Sequence, residues 1–149
     1  MKKNIEFYNY KLSKRNNSGY PFSYLNILNN YQFYKSYEIM MMVNNTWAGL
    51  CRLYYMNDKT FELADFFISE DFRGEKYKGL KYYQHLLNEV FKQAKLINKN
   101  CKEITLAVEE NNQPAIHIYL KNKFKIFKNT SKQRFTFPKK KFIYMKLKI

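Results

Sequence analysis

Glycine, proline, cysteine and tryptophan are all scarce in this chain, with 4, 3, 2 and 1 residues out of 149. Two cysteines, Cys51 and Cys101, cannot staple a disulfide scaffold and stand too far apart for a zinc knuckle, so a reducing, cytoplasmic setting is expected. No His/Cys/carboxylate cluster has metal-ligand spacing, so no metal is expected. No stretch approaches the ~20 apolar residues that span a bilayer, and no membrane partner is expected. The start, MKKNIEFYNYKLSK, has basic residues but no apolar core and no small-residue cleavage site, which does not support a secretory signal. Neither G-x-G-x-x-G nor GxxxxGK[ST] occurs, so the common dinucleotide and P-loop signatures are missing. No Pro/Gly/Ser-rich linker or internal repeat divides the chain.

Apolar and aromatic matter is abundant. The hydrophobic share is 46% and the aromatic share 19%, with 13 Phe and 14 Tyr, too much for a disordered chain. A chain of this length is expected to form one domain over residues 1–149 and to bury roughly 70% of its unfolded surface. The net charge is +15, from 27 basic and 12 acidic residues. It has two readings. One is an anionic partner: nucleic acid or an acidic protein. The other is codon composition, since Lys, Asn, Ile, Tyr and Phe all have A/T-rich codons and only Arg15, Arg52, Arg73 and Arg134 are arginine.

Hydrophobic periodicity orders the chain. Ile5 to Tyr10 alternates weakly as a first strand, and Phe22, Leu25, Ile27 and Leu28 suit one or two short helices. Tyr37 to Val43, Trp47 to Met56 and Phe61 to Ile68 read as three strands joined by short polar turns, an antiparallel meander. Leu80, Tyr83, Leu87, Val90, Ala94 and Ile97 then mark an amphipathic helix. Ile104 to Val108 is a short apolar strand. Pro114 to Lys121 is a helix with Asn112 as N-cap and Pro114 in its first turn. Phe124 to Phe127 and Lys141 to Leu147 close the sheet. A long crossover helix between two apolar strands implies that those two run parallel.

The segment Ile68-Ser-Glu-Asp-Phe-Arg-Gly-Glu-Lys-Tyr-Lys-Gly leads from the third meander strand into the long helix. A cationic, glycine-containing turn before a helix N-terminus suits an anion, with Arg73, Lys76 and Lys78 adding charge. An ordinary strand-to-helix loop is the plain alternative.

The run Asn112-Gln-Pro-Ala-Ile-His-Ile-Tyr119-Leu-Lys-Asn-Lys-Phe124 resembles the N-x-x-A-x-x-x-Y-x-x-x-G-F signature of the GNAT superfamily of acyl-CoA N-acyltransferases. Asn112, Ala115, Tyr119 and Phe124 fall in register. Ile68-Ser-Glu-Asp-Phe-Arg-Gly is similar to the V-x-P-x-[YF]-R-G that ends the family's fourth strand, and Phe142 to Leu147 looks like its last strand. The resemblance covers residues 37 to 149 well and 1 to 36 loosely. It departs in the loop, where Lys76 and Lys78 stand at the second and third glycines, and at Lys123, which replaces the glycine before Phe124.

The resemblance implies an α/β (α+β) fold: a mixed, mostly antiparallel sheet of six to seven strands with about four flanking helices. It implies acetyl-CoA as cosubstrate and direct transfer to a primary amine. Coenzyme contacts would come from Phe67, Ile68, Ser69, Arg73, Gly74, Glu75, Lys76, Tyr77, Lys78, Gly79, Asn112 and Tyr119. A backbone N–H around Ile68 would polarise the thioester carbonyl. Tyr119 is the candidate general acid. The candidate bases are Asp65, which an apolar setting would desolvate, and Glu62; a water chain is the third option. On a regular strand Glu62 would share a face with Phe66 and Ile68, and Asp65 would take the other face. His85 and His117 are not expected to take part.

The acceptor side would combine the aromatic N-terminal region (Tyr20, Phe22, Tyr24, Tyr31, Phe33, Tyr34) with a cationic hairpin (Lys128, Lys132, Arg134, Lys139, Lys140, Lys141). The acceptor would be a small-molecule, peptide or aminoacyl-tRNA amine; cationic walls suit an amine carried on something anionic. A homodimer would be usual for the superfamily. The alternative from another class is a catalytically degenerate, basic GNAT-like protein that binds nucleic acid or an acidic protein.

Overall fold

The computed structural model describes residues 4–12, 36–73, 80–130 and 141–149, with the backbone alone for 9–12, 80 and 128–130. The first strand is β1 (Ile5–Leu12) and the meander is β2 (Ser36–Val43), β3 (Thr46–Asn57) and β4 (Thr60–Ile68), each of the four antiparallel to the next in this series. Asn44 and Asn45 close β2 on β3 with φ of 49° and 65°. Positive φ at both central residues is the geometry a two-residue hairpin needs, and asparagine tolerates it. At the next turn the Lys59 N–H donates to Asn57 Oδ1 at 2.9 Å.

After β4 come a four-residue helix, α1 (Glu70–Arg73), and the long α2 (Leu80–Ile97). The chain continues through β5 (Glu103–Glu109), α3 (Gln113–Lys121), β6 (Lys125–Thr130) and β7 (Phe142–Lys148). The seven strands lie in the order β1-β2-β3-β4-β5-β7-β6. Only β4 and β5 are parallel, as the crossover helix requires. Three helices lie among the described residues; the short helices expected near Phe22 to Leu28 fall outside them.

One face of the sheet is apolar. Ile39, Met41, Cys51, Leu53, Phe61, Leu63, Ile104 and Leu106 are buried there together with Leu86, Leu87, Val90 and Ala94 of α2. Each of the larger side chains contributes about 1.5–3 kcal/mol by leaving water. Glu89 also lies on this helix, 9% exposed, its Oε1 accepting from Gln93 Nε2 at 2.8 Å. The other face of the central strands is polar: Glu38, Arg52, Tyr54 and Glu62 alternate with the core residues. No helix among the described residues is long and apolar enough to cross a membrane.

Candidate active site

The site begins with a defect in β4. Leu50 faces Phe67 and Arg52 faces Ala64, so Cys51 alone stands against both Asp65 and Phe66. This is a β-bulge, and Asp65 carries it with φ of 52°, a conformation that glycine usually supplies and that aspartate tolerates. The bulge bends β4 away from β5. Their pairing runs from Thr60↔Glu103 to Leu63↔Leu106 and stops there, whereas β5 stays paired with β7 as far as Glu109↔Phe142.

The strands therefore part, and a cleft of about 320 Å³ opens between them. Its walls are Leu63 to Phe66 on β4, Leu106 to Glu109 on β5, Tyr83 on α2, and Asn112, Ala115, Ile118 and Tyr119 of α3 and its cap. Backbone groups on β4 beyond the bulge have definite directions. Ser69 N–H donates to Ala48 O at 2.7 Å, so it faces β3. Strand alternation then turns the Ile68 N–H the other way, to the side that β5 has left.

Tyr119 stands in the cleft wall at 5% exposure. Its ring meets Phe66 edge-on at 6.0 Å and Phe124 at 5.5 Å. Burial first, then Cys51 and Tyr83, push the phenol well above its ordinary range. The Cys51 thiol is pushed up for the same first reason, with Asp65, Glu38 and Glu89 adding to it. Both groups keep their protons at neutral pH, so Tyr119 is a donor and not a base. Tyr83 stacks on Phe66 at 5.8 Å and 17°. Its phenol is raised by burial and lowered by Arg73.

Asp65 keeps 44% of its side-chain surface, and its Oδ2 accepts from Arg52 Nη1 at 3.3 Å. Desolvation by the surrounding strands pushes its carboxyl up, and the guanidinium pulls it partly back. Arg52 also donates through Nε and Nη2 to Glu38 Oε2, each at 3.1 Å. One guanidinium thus ties the bulge residue of β4 to β2.

The comparisons with known proteins agree with this geometry. The family model described as Acetyltransferase (GNAT) family matches residues 9–124. The chain belongs to the GNAT acetyltransferase family. Among solved structures, a GNAT family acetyltransferase from Elizabethkingia anophelis with acetyl-CoA bound superposes with a TM-score of 0.71 at 17% identity, covering 98% of this chain and 99% of that one. The Campylobacter jejuni N-acetyltransferase PseH in complex with acetyl coenzyme A gives 0.64 at 18% identity, covering 97% and 98%. The dodecameric spermidine N-acetyltransferase of Vibrio cholerae gives 0.66 at 17% identity, covering 95% and 93%. No curated protein matches by sequence.

Against the expectations for a GNAT site, Tyr119, Asp65 and Asn112 converge on the cleft. Asn112 caps α3, its Oδ1 accepting from the Ala115 N–H at 3.3 Å. Glu62 does not line the cleft. It is 7% exposed, opposite Tyr54 and beside Thr105. The expectation that Glu62 and Asp65 face opposite sides is corrected, because the bulge adds a residue and brings both to the Arg52 face. Phe67 is exposed, stacked on Trp47 at 5.9 Å, with the Arg73 guanidinium 5.5 Å over its ring. Gly74, Glu75, Lys76, Tyr77, Lys78 and Gly79 lie outside the described residues, as do the N-terminal aromatics Tyr20 to Tyr34 and Lys132 to Lys140.

Sequence reasoning missed Tyr83 and Glu109 as cleft residues. Tyr83 was visible only as one member of the helical stripe. Glu109, the last residue of β5, becomes a wall residue only because β4 has left that strand's side. Among the described residues no three His, Cys, Asp or Glu side chains cluster in a way that could hold a metal ion.

Proposed function

We propose that the protein transfers the acetyl group of acetyl-CoA directly to a primary amine. The observation that carries this reading is the parting of β4 and β5 at the Asp65 bulge, which opens a cleft lined by Asp65 and Tyr119 and leaves the Ile68 N–H turned to the side that β5 has left. The residues fit the group. Ile68 offers a strand N–H that β3 does not use, Asn112 caps a helix at the cleft wall, and Arg73 ends α1, the short helix that follows β4.

When bound, acetyl-CoA supplies an activated acyl carbon on a thiol leaving group. The Ile68 N–H stabilises negative charge developing on the acyl oxygen. Tyr119 holds its proton at Oη and delivers it to the departing sulfur. Asp65 receives a proton from the incoming ammonium, helped by a carboxyl already raised by desolvation. Arg73 and the residues that follow it hold phosphate charge.

The charge of the described cleft bears on the acceptor. Among the described residues, Asp65, which Arg52 holds from the β3 side, and Glu109 line it, and no basic side chain does. An approaching amine therefore meets negative charge there, which favours a free cationic amine over an amine on an anionic carrier. Residues 1–149 form a single domain in this reading. The family match ends at 124, yet β7 lies between β5 and β6, so the chain after 124 completes the sheet.

Thermal unfolding with acetyl-CoA tests the reading. Ligand at 100 times its Kd should add ~2.7 kcal/mol of stability, and no shift at millimolar concentration would end it. Thiol release with spermidine, the acceptor named for the Vibrio cholerae neighbour, is the first turnover assay to run.

A further inference from the structure

Gly49 lies on β3 opposite Ile68, next to the alanine whose carbonyl holds Ser69. Its backbone is ordinary strand, so what the position requires is space. A Cβ placed on it would overlap the Phe67 carbonyl oxygen, and would lie 2.9 Å from Ile68 Cδ1 and 3.3 Å from Ile68 Cα. The side chain could swing aside, but the carbonyl moves only with its whole peptide.

That peptide is the one that carries the Ile68 N–H. In a planar trans peptide the C=O and N–H point in opposite directions. With the Phe67 oxygen held against Gly49, the Ile68 N–H points away from β3, on the side where β4 has parted from β5. Any group added at position 49 presses on the oxygen and drives the N–H outward.

We infer that Gly49 is a positioning residue for acyl transfer: the missing side chain lets β3 hold the Phe67–Ile68 peptide at the depth from which its N–H meets an acyl oxygen. The inference rests on the acetyltransferase reading above. A displacement of about 1 Å in such a donor is worth about 10²-fold in rate. A role confined to packing would weaken every ligand alike, whereas a role through the N–H acts only on ligands that have the acyl oxygen.

Acetyl-CoA and CoA differ by that oxygen and its methyl group. Calorimetry should show the wild-type protein binding acetyl-CoA more tightly than CoA, and in NMR spectra the Ile68 amide proton should shift with acetyl-CoA but not with CoA. The variants are Gly49→Ala and Gly49→Ala with Ile68→Val. The second removes the Cδ1 contact and leaves the contact with the carbonyl. Measured against Ile68→Val alone, this double variant should bind CoA equally well, its preference for acetyl-CoA should shrink by about 2–10-fold, the worth of one hydrogen bond, and the amide of residue 68 should no longer respond.

A double variant that keeps the preference of Ile68→Val alone, or loses both ligands in equal proportion, overturns the inference. So does a wild-type Ile68 amide that responds equally to both ligands. A wild-type protein that binds neither overturns the acetyltransferase reading itself.

Discussion

The Phe124 N–H donates to the Tyr119 carbonyl at 3.0 Å, and the two rings meet edge to face with centroids 5.5 Å apart. The Lys123 N–H donates to the Leu120 carbonyl, also at 3.0 Å. The two bonds with the apolar contact make a Schellman ending for α3. Asn122, the C-cap, exchanges two 2.8 Å amide hydrogen bonds with Gln84 of α2. The candidate acid is therefore fixed through its own backbone, through its ring and through the neighbouring helix. A donor held this way has little freedom left to lose when it acts.

Tyr119→Phe should lower kcat by about 10²–10⁴-fold, the usual contribution of a positioned proton donor. The ring contacts with Phe66 and Phe124 survive the change, so affinity for acetyl-CoA should hold. Steady-state kinetics with calorimetry on the same samples checks both halves. An unchanged kcat removes Tyr119 from the chemistry.

Lys123 occupies the C′ position with φ of 72°. A left-handed conformation costs a residue with a Cβ roughly 1–2 kcal/mol, while glycine gives back about 0.5–1 kcal/mol in chain entropy. Lys123→Gly should therefore stabilise the fold by about 1 kcal/mol and raise Tm by about 2–4 °C, with activity unaltered. A lower Tm would show that the lysine side chain contributes more than its backbone strain costs.

The parts of the fold that follow from long periodicity were legible in the sequence. Leu87, Val90 and Ala94 recur at helical spacing, and α2 forms over Leu80–Ile97 as that spacing predicts. The parallel pairing of β4 with β5 follows from the crossover between them. The Asp65 bulge was not legible. Bulges and helix ends that need positive φ are usually marked by glycine, and here Asp65 and Lys123 adopt it without one. Read as an alternating strand, FELADFFI sends Glu62 and Asp65 to opposite faces; one extra residue undoes that assignment. Gly49 lies among strand formers, and its need for space appears only once β4 is laid beside it.

Arg73→Ala should weaken both acetyl-CoA and CoA by about tenfold to a hundredfold, the loss of charge-assisted hydrogen bonds worth about 1.5–3 kcal/mol. The guanidinium already lies over the Phe67 ring, so its fork is partly oriented before a phosphate arrives. Arg73→Lys should recover only part of the loss, because an ammonium neither stacks nor binds bidentately in the same way. Direct binding measurements suffice, and equal affinities in all three proteins would move the phosphate contact elsewhere.

The Asp65 carboxyl is raised by desolvation and lowered by Arg52, and a base acts only when ionised. The acid limb of the kcat profile should therefore lie above the ordinary carboxylate value of about 3.9. The acceptor's own amine titrates near ~10, far enough away to be separated. Arg52→Met removes the lowering contribution, so the limb should move to higher pH; Asp65→Asn should abolish the limb. Stability carries the same sign. The folded carboxyl binds its proton more tightly than the unfolded one, so this group's contribution is full below the unfolded pKa and declines as pH rises through the folded pKa. The difference in unfolding free energy between wild type and Asp65→Asn should accordingly fall from about pH 3 to neutrality. An Arg52→Met profile that stays in place, with Asp65→Asn fully active, would transfer the base to solvent.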